Sequence, residues 1–214
     1  DGVHQFTTTL TDAAGNESPQ SAALPLTVDT AAPAAPTGVT VTDDVAPVTG
    51  AIAANGASND NKPTFAGAAG SAEAGSTITV MDGATVLGTA VVAADGSWSV
   101  TPTTALADGA HSITTRATDA AGNVSPVSPA LALTVDTAAP AAPAAPTSTA
   151  PSTNDNTPGI HIGVGLTDTP SLYVDGVKVP ATYDPVTGTL TPTTPLGDGV
   201  HQFTTTLTDA AGNE

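Results

Sequence analysis

The side chains of this chain that can do chemistry are almost all carboxylates. Asp and Glu number 20 against 3 Lys and Arg, histidine occurs four times and cysteine not at all, for a formal net charge of −17. Without cysteine there is no thiolate to hold zinc or to attack a substrate. Several carboxylates in one place repel each other and drive one another to protonate unless a cation sits among them. Two sets of three occur in matching contexts: Asp29, Glu73 and Asp119, then Asp136, Asp168 and Asp209. Asp29 and Asp136 lie in VDTAAP, and Asp119 and Asp209 in TDAAGN. Glu73 and Asp168 each precede a serine, Ser76 or Ser171, by three residues. Oxygen donors from separate loops suit Ca2+, with its roughly six to eight ligands, better than Mg2+ or zinc, so Ca2+ is the expected cofactor. The plainer reading is that these acids cap turns and face water, since Asp and Asn dominate turns.

Asp43, Asp44 and Asp60 form a second acidic group, for which solvated turn residues are at least as good a reading as a site. His4, His111 and His201 occupy one repeated position, DGxH, and His161 stands alone. Nothing in the pattern brings two imidazoles together. The repeated ring is expected to bond back to the turn before its strand, a structural role rather than a metal-binding one. No catalytic residue is assigned: there is no GxSxG elbow, phosphate-binding loop or dinucleotide fingerprint. A catalyst needs one site, whereas here the same residues return in each repeat.

The elements that must position these acids are set by a repeat. Residues 1–17, DGVHQFTTTLTDAAGNE, return identically at 198–214, and a related copy, DGAHSITTRATDAAGNV, runs over 108–124. The spacings of 107 and 90 residues predict alternating long and short modules. We divide the chain into the closing strands of a module cut short (1–28), a complete long module (29–136) and a short module lacking its last strand (137–214). Strands are predicted over 38–42, 64–68, 77–81, 86–93, 97–101, 110–118 and 130–135. Asp82-Gly83 and Asp95-Gly96 read as hairpin turns. Seven strands with Thr/Val alternation and no helical period predict an all-β, Greek-key sandwich in each module and an elongated tandem array. In that topology the TDAAGN loop of one module lies beside the tail of the module before it, which would bring each set of three acids to a junction.

Taken together, VTDDV…VTG (41–50), NDNKPTFAGAAGSAEAGSTITV (59–80), LGTAVVAADGSWSVTPTTALADGAHS (87–112) and TDAAGN resemble the bacterial immunoglobulin-like tandem repeats of giant surface adhesins of the biofilm-associated type. The resemblance spans essentially the whole chain, although the short module lacks VTDDV…VTG. It implies an extracellular stalk at the bacterial cell surface that supports adhesion and biofilm formation and is not an enzyme. The expected partners are neighbouring modules of the same chain, and identical adhesins on other cells or a surface receptor. Two alternatives stand beside it: homotypic adhesion modules, or carbohydrate-binding accessory modules of a secreted enzyme. The carbohydrate reading needs an exposed aromatic platform from among Phe6, Phe65, Trp98, Tyr173, Tyr183 and Phe203. Nucleic acid is excluded as a partner by the scarcity of Lys and Arg. No apolar run approaches the roughly 20 residues of a membrane span, so direct membrane insertion is not expected.

Overall fold

The computed structural model describes residues 1–148 and 152–214 and is all-β, with no helix among the described residues. The chain folds as two compact units that interleave along the sequence. The first comprises Asp1–Thr40, Phe65–Thr103 and Ile113–Leu131, and the second Val41–Thr64, Thr104–Ser112 and Ala132–Glu214.

In the first unit, Thr77–Asp82 pairs antiparallel with Thr85–Val91 on one side and with Gly109–Thr118 on the other, in the register Thr77↔Thr118 to Asp82↔Ile113. A separate pair joins Thr64–Gly67 to Trp98–Val100, with Gly67 opposite Trp98. The two sets face each other: a Cβ on Gly88 would stand 2.7 Å from Val100 Cγ1. Between them lie Phe65, Ile78, Val80, Trp98, Val100, Ile113 and Ala117, all buried. Burying apolar area at roughly 25 cal/mol per Å2 is the main stabilising force here, and β-branched side chains suit so thin a layer. The hairpin Gly2–Phe6 with Leu24–Val28 stands apart from this core, exposed throughout.

The strands observed in the first unit fall within a residue or two of those read from the sequence, except at one turn. Asp82-Gly83 closes a true hairpin, because the strands on either side pair with each other. Asp95-Gly96 does not. The turn itself is tight, with Gly96 N–H donating to Ala93 O and Ser97 N–H to Asp95 Oδ1 at 2.9 Å each. Yet Thr85–Val91 pairs with Thr77–Asp82, while Trp98–Val100 pairs with Thr64–Gly67. The chain crosses between the layers there, and Trp98 and Val100 are buried on the second one.

The second unit contains Thr40–Asp43 paired with Gly50–Ile52, and Ala57–Ser58 pairing in parallel with Leu131–Val135. Neither Gly50–Ile52 nor Ala57–Ser58 is evident from the sequence, being only three and two residues long. Residues 160–208 supply two three-stranded sheets, in the orders Val177–Val179, Thr169–Val174, Phe203–Thr208 and Ile160–His161, Thr189–Pro192, Ala181–Asp184. Ile160, Ile162, Leu172, Val174 and Leu190 form their buried core. Asp175-Gly176 turns the hairpin after Thr169–Val174 with both φ positive, at 53° and 81°. That is the turn whose twist matches the strands, and the Asp-Gly pair is suited to it.

Candidate functional site

The TDAAGN loop is built the same way each time. Asp119 Oδ1 accepts from the N–H of Ala121 and Asn123 at 2.9 and 2.8 Å, and Oδ2 accepts from Asn123 Nδ2 at 2.9 Å. Asp12 makes the corresponding bonds to Ala14 and Asn16, and Asp209 to Ala211, Gly212 and Asn213. The glycine is required because φ there is +92° to +100° in the three copies. Donation by the asparagine amide, then by backbone N–H groups, holds the Asp12 and Asp119 carboxyls below the usual range. At Asp209 burial pushes the other way, and the Asn213 side chain with the backbone donors outweighs it.

The loop reaches the preceding tail through its asparagine, not its aspartate. Asn123 Nδ2 donates to the backbone carbonyl of Asp29 at 3.0 Å, and Asn213 Nδ2 to that of Asp136 at 2.7 Å. One amide nitrogen therefore joins a carboxylate oxygen of its own loop to a carbonyl oxygen of the tail. The tail is fixed in turn by a second repeated contact. Asp1 Oδ1 accepts from Thr30 N–H and Oγ1, and Asp108 Oδ1 from Thr137 N–H and Oγ1, at 2.8–3.1 Å. Sequence reasoning passed over Asn123, Asn213, Asp1 and Asp108. The signal for the last two was an equal separation of 29 residues between the aspartate and its threonine.

The donor chemistry at these places is all oxygen and suits a hard cation. Among the described residues, however, no group of three or more carboxylates or imidazoles is placed to hold a metal ion. Asp29 and Asp136 cap their own turns through Ala31 and Ala138 N–H. The Asp119 and Asp209 carboxylates are taken up by their loops, and Asp168 accepts from the neighbouring Thr167 hydroxyl, at 3.4 Å. At Glu73 it is the backbone carbonyl that is engaged, accepting from Ser76 N–H. What meets at each junction is one carboxylate oxygen and one carbonyl oxygen on a shared amide.

The second acidic group corrects the solvated-turn reading at two of its three positions. Asp43 and Asp60 are 5% and 4% exposed, and only Asp44 faces water. Ser58 reconciles the pair: its hydroxyl donates to Asp43 Oδ2 at 2.5 Å and accepts from Asp60 N–H at 3.1 Å. Val45 N–H and Lys62 N–H complete the two carboxylates. A buried carboxylate persists only with such donors.

Two of the three DGxH histidines, His111 and His201, bond back to the turn before their strand as expected. His111 Nε2 lies 2.8 Å from Ala107 O, and His201 Nε2 2.9 Å from Gly197 O, each four residues back. His201 also meets Asp175 Oδ2 through Nδ1 at 2.8 Å. The Gly197 carbonyl first and the Asp175 carboxylate second raise its pKa above the ordinary 6.5. A raised histidine pKa adds stability that is complete below the unfolded value and is lost as pH rises through the folded one. NMR titration of the His201 ring is expected to give a pKa above 6.5 that returns towards it in Asp175→Asn. An unchanged midpoint would remove the ion pair from the account.

Residues 35–137 match the family described as bacterial Ig-like domain. Over that stretch the chain is similar to a bacterial Ig-like domain. Its strands and buried layer are those of the Ig-like β-sandwich predicted from the repeat. Among solved structures it is similar to one described as "Biofilm associated protein - BSP domain", with 23% identity, a TM-score of 0.30, and coverage of 64% of this chain but only 26% of that one. No curated protein matches the chain. Within residues 35–137 Trp98 is 5% exposed and Phe65 fully buried, so neither is the aromatic platform a carbohydrate-binding module would need. The fold thus spends both rings on packing. No helix among the described residues is long and apolar enough to cross a membrane.

Proposed function

We propose that this chain is a stretch of the repeat region of a bacterial surface adhesin, an extracellular stalk that carries adhesion and biofilm contacts away from the cell and does no catalysis. The observation that carries this reading is the junction contact made twice over. The same asparagine of the same loop reaches the carbonyl of the same tail residue, Asn123 to Asp29 and Asn213 to Asp136. The same loop meets the same VDTAAP segment each time, and that repeated contact would set how one repeat follows another, which a stalk requires and a set of independent binding modules does not. The match to the bacterial Ig-like family and the low content of cationic residues are consistent with it. Strands rising about 3.3 Å per residue give modules of roughly 30–40 Å, so copies in series project far.

Calcium belongs to the same proposal. Asp29, Glu73 and Asp119 in one junction, and Asp136, Asp168 and Asp209 in the next, would supply carboxylate oxygens to an ion that draws them together and stiffens the rod. Extracellular modules bind calcium at roughly 10⁻⁴–10⁻³ M, a range suited to the cell exterior. Small-angle X-ray scattering with calcium and then with excess chelator tests it. Maximum dimension and stiffness are expected to fall on chelation, and Asp29→Ala with Asp119→Ala to reproduce the fall in calcium. Coincident curves in all conditions would sink the role of the ion and leave the amide contacts alone to order the junctions.

A further inference from the structure

The three copies of TDAAGN differ in how far they are covered, although their internal bonds are alike. Residues 12–16 are exposed throughout, and Ala121 and Gly122 are exposed as well. Ala211, Gly212 and Asn213 are buried. What covers the third copy is the Asn59 loop of the long module. Asn59 N–H donates to Ala211 O at 2.9 Å, and Asn59 Nδ2 reaches Gly212 O and Ala46 O at 3.3 Å each. Val48 packs on the other side, so that a Cβ at Gly212 would stand 3.0 Å from the Val48 Cβ, whereas one at Gly15 or Gly122 would meet nothing within 4 Å. The loop is a plug and the Asn59 turn its receiving site.

The short module holds a second turn of that construction. Asn59-Asp60-Asn61 is matched by Asn154-Asp155-Asn156. Asp60 N–H donates to Ser58 Oγ at 3.1 Å, and Asp155 N–H to Thr153 Oγ1 at 3.0 Å. Lys62 N–H donates to Asp60 Oδ1 at 2.8 Å, and Thr157 N–H to Asp155 Oδ1 at 2.9 Å. The carbonyls of Asn61 and Asn156 accept from Leu106 and Leu196 N–H at 2.8 and 2.7 Å. Here, however, Asn154 is exposed. We propose that the Asn154 turn is a preformed receiving site for the TDAAGN loop of a following long module, the loop that residues 118–123 represent. The proposal rests on the stalk reading and assigns the contact surface by which short modules accept long ones. Residues 118–123 already show the other half of that junction, with Asn123 on the Asp29 carbonyl and Ala121 and Gly122 uncovered. The short module has no counterpart of the Ala46 and Val48 segment, so its site makes fewer contacts and its junctions bend more easily than those at Asn59.

Crosslinking tests it without background, because the chain has no cysteine. Residues 1–214 followed directly by a second copy of 18–136 continue the repeat in register, since 198–214 repeat 1–17. Ala57 and Ala210 line one cleft beside the filled site, and Ala57→Cys with Ala210→Cys is the reference pair. Ser152→Cys with Ala120→Cys in the appended copy is the corresponding test pair. With a short bis-maleimide the test pair is expected to link within the chain about tenfold faster than Val186→Cys with the same appended cysteine, because seating raises the effective concentration. Asn154→Ala is expected to slow that link. Equal rates for the test and Val186 pairs, or a rate indifferent to Asn154→Ala, overturn the receiving site. Scattering from the same extended chain separates the two readings. An extended particle without the preferred link removes the site and keeps the stalk, and a collapsed particle that still links at 152 removes the stalk and keeps the site.

Discussion

Phe65→Ala is expected to cost about 3–5 kcal/mol of stability, the largest single effect in the first unit. Phe65 has no exposed surface and lies on Thr64–Gly67 opposite Val100, among the aliphatic residues of the core. Trp98, the other ring in that layer, is already packed against Gly67 and Ser71 and is not free to fill the space Phe65 leaves. The loss combines the transfer free energy of the ring with the cavity left when strands held by their own ladders cannot close in. Urea unfolding followed by the fluorescence of Trp98, the one tryptophan, measures it. A change under about 1 kcal/mol would mean that the layer collapses around the hole and that the packing is looser than described.

The second large effect comes from adding one methyl group. Gly67 has an ordinary φ, so alanine there brings no backbone penalty, but its Cβ would overlap the Trp98 indole and the Ser71 hydroxyl. Trp98 is 5% exposed and Ser71 Oγ is tied to Gly96 O at 3.1 Å, so neither has room to give way. Gly67→Ala is therefore expected to destabilise by about 1–3 kcal/mol through overpacking, and to shift Trp98 emission towards the red as the indole is displaced into water. A variant with native emission and native midpoint would show that the indole has an alternative seat. Gly122→Ala serves as the contrast: its added Cβ meets nothing, its cost is the strain of φ +95° alone, and it leaves the Trp98 signal unchanged.

Strand positions were legible in the sequence because alternation has a period of two and each burial choice is local. Thr77–Asp82 and Gly109–Thr118 emerged nearly as read for that reason. The histidine corner was legible on the same ground, since His111 and His201 bond back only four residues. The order of the repeats also placed TDAAGN beside the preceding tail, because a sandwich of this connectivity puts both at one pole.

What the sequence could not state was which atom makes the contact. An aspartate in TDAAGN can reach the tail itself or bond within its own loop, and both uses leave the same letters. The loop closes to within reach of three backbone N–H groups at Asp209, so the carboxylate turns inwards and the asparagine amide is left to cross to the tail. Asp43 and Asp60 were hidden in the same way. Two acids 17 residues apart become a buried pair only when the fold sets Ser58 between them, and a hydroxyl that accepts from one residue while donating to another is not visible as a pattern. Asp95-Gly96 repeats the lesson in the backbone, since the turn is set by its own residues whereas the strands on either side of it pair with distant ones. The sequence by itself determined the repeat, the β architecture, the turns and the residue types available to each junction. Tertiary structure alone decided burial, strand partners and hydrogen-bond partners. Those depend on free energies of desolvation and packing that no residue carries until its distant neighbours are in place.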